Sequence, residues 1–94
     1  MNRYVIERDI PGVGHLSDEE VRATAQSSNI ALSAIGSSVQ WVESHITEDR
    51  IYCVYLAESA DLVHEHARMA GLPANTVSKV VRVVDPMAAN SVSL

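Results

Sequence analysis

The chain has 94 residues, 47% of them hydrophobic and 20% charged, with a formal net charge of −5. That is one small globular domain, too apolar to be disordered and close to the size at which roughly 65% of the unfolded surface is buried. Its seven lysines and arginines are scattered, so it lacks the basic surface that nucleic acids and anionic membranes require, and both partners are excluded.

The first segment, "RYVIERDI" (3–10), is rich in β-branched and aromatic residues and predicts a strand. Pro11, Gly12 and Gly14 then punctuate a loop. Ser17 and Glu20 have capping-box spacing, and Asp18 and Glu19 suit the positive end of a helix. That helix is expected to run to about Ile35, with Val21, Ala25, Ser28, Leu32 and Ile35 inward and Gly36 as its stop. "VQWVESHIT" (39–47) and "RIYCVYLA" (50–57) predict two strands joined at Glu48-Asp49 as a hairpin. Ser59 caps a second helix through Ala70, which Gly71 and Pro73 end. "TVSKVVRVV" (76–84) predicts a fourth strand, stopped by Asp85-Pro86.

The order β-α-β-β-α-β in one short domain predicts an α+β, ferredoxin-like fold. Its four-stranded antiparallel sheet would carry both helices on one face. The domain is expected to span residues 1–86, with "MAANSVSL" (87–94) as a tail, either disordered or an arm lying on another surface. The other sheet face would carry Trp41, Val54, Leu56 and alternate residues of the first and last strands. Large apolar groups do not usually stand on a solvated sheet, so a homodimer through that face is expected.

A single cysteine cannot form an internal disulfide, as befits a reducing compartment. The opening "MNRYVIERDI" is too short and too charged for a signal peptide, and no apolar run approaches ~18 residues, so the cytoplasm is expected.

The chemistry-bearing residues divide by geometry. His64 and His66 look like a metal pair, but residues two apart on a helix differ by roughly 200° in azimuth and cannot share one ion. His64 falls with Asp61, Glu65 and Arg68 on the wet side; His66 falls beside the buried stripe of Val63, Ala67 and Ala70. His66 is therefore either a hydrogen-bonded packing residue or a ligand. His15, in "PGVGHLS", sits in the loop as a solvated residue.

Cys53 reads either as a small buried hydrophobe or as a thiolate ligand. An even hairpin loop pairs Ile46 with Ile51 and Ser44 with Cys53, placing His45 opposite Tyr52 on the other face. An odd loop would set His45 across from Cys53. "TEDR" offers no glycine for the odd loop, which favours the even one. Glu43 and His45 then share a face with Trp41, either to hold a divalent ion, orient a ligand or act as acid and base, or as polar relief at a dimer interface.

Two phosphate-binding alternatives fail. "GVGHLS" lacks the third glycine of the dinucleotide fingerprint, and the acids at 18–20 would repel phosphate, which also removes an acylphosphatase-like loop. Nucleophilic catalysis has no support, because no basic neighbour of Cys53 is evident in the sequence.

The runs "WVESHITEDRIYCVYLAESA", "EHARMAGLPA" and "VVRVVDP" resemble a family of small ferredoxin-like proteins of unknown function that includes nickel binders. The resemblance extends from Tyr4 to Pro86. It implies a ferredoxin-like subunit, dimerisation through the sheet, and nickel coordination by histidine and cysteine. Cys53, in "YCVY", stands where the family has its strand cysteine, and His66 lies in the matching helix segment. The first strand, "YVIER", has no histidine, which departs from the family's ligand set.

The leading expectation is thus a small soluble homodimeric protein that binds a divalent metal such as nickel or a small molecule. Its metal ligands would come from Glu43, His45, Cys53 and His66. The alternatives are a small dimeric enzyme of monooxygenase or isomerase type, with a pocket between sheet and helices lined by Trp41, Glu43, His45 and Tyr52, and a structural or regulatory interaction module.

Overall fold

The computed structural model describes residues 1–90; the last part of the expected tail, residues 91–94, lies outside the described residues. The strands are β1 (Asn2–Asp9), β2 (Val39–Ile46), β3 (Arg50–Ala57) and β4 (Thr76–Lys79), and the helices are α1 (Asp18–Ile35) and α2 (Ala60–Ala70). They form one antiparallel sheet in the order β2-β3-β1-β4. This is the expected ferredoxin-like arrangement.

Alternation dictates which face is dry. Tyr4, Ile6 and Arg8 of β1, and Ile51, Cys53, Tyr55 and Ala57 of β3, point toward the helices and are buried. Val63, His66 and Ala67 of α2 and Ser28 and Ala31 of α1 meet them. The opposite face carries Val5, Tyr52, Val54 and Leu56, all half-buried. No helix among the described residues is long and apolar enough to cross a membrane.

The termini of the helices follow their local chemistry. Ser17 Oγ accepts from the Glu20 N–H at 3.1 Å while the Ser17 N–H donates to Glu20 Oε1 at 3.0 Å, a complete capping box. Gly71 adopts φ 71°, left-handed geometry that ends α2 at little cost because no Cβ is present.

The β2–β3 hairpin has the even register. Ile46 pairs with Ile51, His45 with Tyr52 and Ser44 with Cys53. The Thr47 N–H donates to the Arg50 carbonyl at 2.8 Å, which leaves Glu48-Asp49 as a two-residue turn.

Two expectations are corrected. The fourth strand ends at Lys79 rather than residue 84. Its partner β1 starts at Asn2, and after the Val80 N–H bonds the Arg3 carbonyl at 2.8 Å the chain has nearly overrun that strand. Trp41 also changes face. A bulge between Trp41 and Glu43 leaves Val42 without an opposite residue, so Trp41 stands opposite Tyr55 on the helix side. One extra residue in a period-two strand exchanges faces for everything before it.

Candidate functional site

The sheet separates the four candidate ligands into two pairs. Glu43 and His45 lie on the open face, and Cys53 and His66 lie between sheet and helices. A backbone layer intervenes, so the four cannot converge on one ion within a chain. Among the described residues, no group of three or more His, Cys, Asp or Glu side chains is placed to hold a metal.

On the open face, Glu43 Oε2 approaches His45 Nε2 at 3.2 Å, with the side chains 57% and 66% exposed respectively. The two are alternate residues of β2 beyond the bulge, which is why they project together. Tyr52 stands directly across from His45, and Glu7 directly across from Tyr52. Arg50, at the end of this face, pairs with Asp9 at 2.5 Å and Glu7 at 3.5 Å. A carboxylate beside an imidazole supplies two donors that suit a borderline divalent ion.

Inside, His66 is wholly buried, more deeply than its place beside the apolar stripe implies. Its Nε2 lies 3.2 Å from both the Ser28 hydroxyl and the Ser28 carbonyl. The carbonyl can only accept, so Nε2 carries the proton, while Nδ1 is buried with no hydrogen-bond partner. Burial pushes this imidazole below its usual range; the bond to the Ser28 carbonyl opposes the shift and the Arg8 charge adds to it. The ring also tilts against Tyr55, with centroids 5.1 Å apart. Burial raises the Tyr55 phenol, partly offset by Arg8.

Cys53 is buried, but it is not a mere hydrophobe. The Ser44 hydroxyl donates to its sulfur at 3.0 Å, and the Trp41 indole N–H donates to the same hydroxyl at 2.9 Å. Arg8 Nε approaches the sulfur at 3.4 Å. The expectation that no basic group neighbours Cys53 is therefore corrected. Arg8 follows Tyr4 and Ile6 on the inward face of β1, and that alternation was the signal in the sequence for its position. Arg8 has 0% exposure, donates to the Pro73 carbonyl at 2.6 Å and to the Tyr55 hydroxyl at 3.4 Å, and takes part in none of the ion pairs among the described residues.

These residues border a cavity of about 70 Å³ between α1 and the sheet, with Arg8, Ser28, Trp41, Ser44, Cys53 and Tyr55 in its wall. A pocket between sheet and helices was expected, yet Glu43, His45 and Tyr52 do not line it. Of the residues assigned to it from the sequence, Trp41 alone does, because of the bulge.

Comparison with known proteins agrees with the fold. The crystal structure of SCO4226 from Streptomyces coelicolor A3(2) superposes with a TM-score of 0.72 at 16% identity, covering 87% of this chain and 99% of that one. At such identity the likeness concerns fold alone. No curated protein matches the chain. The model of the family described as "Nickel responsive protein SCO4226-like" matches residues 4–80, which take in both helices and the whole sheet except Asn2 and Arg3 of β1. The chain belongs to the SCO4226-like family.

Proposed function

We propose that the protein is a metal-responsive binding protein that takes a divalent ion, nickel on the strength of its family, between two copies of the chain at Glu43 and His45. The observation that carries this reading is the 3.2 Å pairing of these two donors on the open sheet face. One chain supplies only two ligands there. A borderline ion of the nickel, copper or zinc group seeks four to six, and the imidazole and carboxylate donor types alone do not choose among them.

A second copy docked through the same face by a twofold axis near β2 doubles the set to two imidazoles and two carboxylates. Val5, Tyr52, Val54 and Leu56 on that face make such docking favourable, since covering apolar area yields roughly 25 cal/mol per Å². In this reading Cys53 and His66 stay inside as packing and hydrogen-bonding groups, and the cytoplasm is the compartment.

The test is a calorimetric nickel titration of tag-free protein, paired with sedimentation velocity. One ion per two chains is expected, with nickel promoting association, and His45→Ala and Glu43→Ala losing uptake. Cys53→Ser should bind as the parent does. Undiminished uptake by His45→Ala, or one ion per unassociated chain, would overturn the reading.

A further inference from the structure

We infer that residues 79–85 pair antiparallel with the same run of a second copy, about a twofold axis at Arg82, joining two sheets edge to edge. The inference goes beyond the proposed metal contact and does not need it, since Glu43 and His45 lie on β2, the opposite edge of the sheet. The run reads "KVVRVVD", and β4 ends at its first residue. After the Val80 N–H bonds the Arg3 carbonyl, no backbone N–H of Val81, Arg82, Val83 or Val84 has a partner among the described residues. Val81 is 94% exposed, Val83 69% and Val84 56%. Exposed β-branched residues with unpaired backbone groups at a sheet edge are a template for a further strand.

The sequence itself specifies the partner. Taken outward from Arg82 in both directions, the run is self-complementary: Val81 with Val83, Val80 with Val84, Lys79 with Asp85. A twofold axis at Arg82 sets each residue opposite the matching one of the second copy. Every valine then meets a valine, and Lys79 meets Asp85 once on each side of the axis. Neither charge takes part in the ion pairs among the described residues. Backbone parity agrees. The Val80 N–H points inward at β1, so strand alternation turns the N–H and carbonyl groups of 79, 81, 83 and 85 outward. The opposed pairs 79/85 and 81/83 draw only on these outward residues. Pro86, which has no N–H, ends the run. Against the register stands one contact, Arg82 opposite its own copy, because like charges directly opposed repel. Two attractive pairs outnumber it. An axis at Val81 would relieve Arg82 but set Lys79 against Val83 and Asp85 against Val77, leaving both charges unmatched.

The experiment is sedimentation velocity on the tag-free full chain with a chelator present, which silences the metal contact so that the result bears on this run alone. A reversible dimer is expected at about 100 μM chain. Lys79→Glu and Asp85→Lys should each weaken it by at least ~tenfold, and the two together should return it to within about threefold of the parent. Arg82→Thr removes the one repulsive contact, keeps a β-branched residue, and should tighten the dimer by about threefold or more. It also serves where Asp85→Lys disturbs the turn in which Asp85 Oδ1 accepts the Met87 N–H at 2.9 Å. A monomeric parent, single reversals that associate as the parent does, a double reversal no better than the singles, or no tightening in Arg82→Thr would each overturn the inference.

Discussion

Replacing His66 with glutamine should flatten the acid side of the protein's stability curve. His66 is wholly buried, keeps its proton on Nε2 against the Ser28 carbonyl, and has no partner for Nδ1. Burial, chiefly, holds its imidazole below the ordinary value of 6.5, and the Arg8 charge adds to the effect against the opposing Ser28 bond. The sign follows from proton counting. Above that ordinary value both folded and unfolded chains carry a neutral His66, and the stability associated with it is complete. As pH falls below it, the unfolded chain takes up a proton that the folded chain refuses, so stability is lost until the folded group also titrates.

The slope from one such group reaches about 1.4 kcal/mol per pH unit. For a domain of this size that corresponds to a fall in Tm of roughly 5–10 °C per unit. Glu20 and Glu65 are held below the carboxylate value of 4.5, by Ser17 and Arg68 respectively, so their protonation belongs to a more acidic range. Glutamine keeps an N–H for the Ser28 carbonyl and leaves His15, His45 and His64 untouched, so their background subtracts. Urea unfolding followed by far-UV circular dichroism at about pH 7.5 and about pH 5.5 measures the slope for both proteins. Equal slopes in parent and His66→Gln would refute the assignment.

Gly14→Ala should destabilise by about 1–3 kcal/mol in calorimetry, because the added Cβ would meet Glu48 Cα at 2.7 Å and the Thr47 carbonyl at 2.8 Å, both backbone atoms. An unchanged Tm would show that the loop before α1 does not press on the hairpin turn. Ser17→Ala should cost about 1 kcal/mol in urea unfolding through loss of the capping box; a neutral result would mean that the cap is redundant. Burial raises the Tyr55 phenol above 10.0, so its contribution is complete below that pH and is lost as pH rises through the folded value. Tyr55→Phe should therefore show a shallower alkaline loss of stability than the parent, and a matching loss would assign it to another group.

The parts of the fold that local chemistry dictates were legible in the sequence. Ser17 with Glu20 and the glycines at 36 and 71 bounded the helices, and the absence of glycine in "TEDR" favoured the even hairpin register that sets Ser44 across from Cys53. What was not legible depended on partners distant in sequence. The bulge at Val42 carries no glycine to mark it, and it alone moved Trp41 from the open face to the cavity. The stop at Lys79 reflects where β1 begins, which the composition of "KVVRVV" cannot disclose. Arg8 stood in plain alternation with Tyr4 and Ile6, but a charged residue in a strand is ordinarily assigned to water. The depth of His66 came from Ser28, which the packing of α1 beside α2 brings within 3.2 Å. Helix-on-helix packing of this kind leaves no local pattern.

Nickel K-edge X-ray absorption of the loaded, tag-free protein most directly tests whether the sheet truly divides the ligand set. A first shell of nitrogen and oxygen alone, with imidazole scattering, is expected for coordination by His45 and Glu43 from two copies. A nickel–sulfur shell would place Cys53 on the ion and contradict the account.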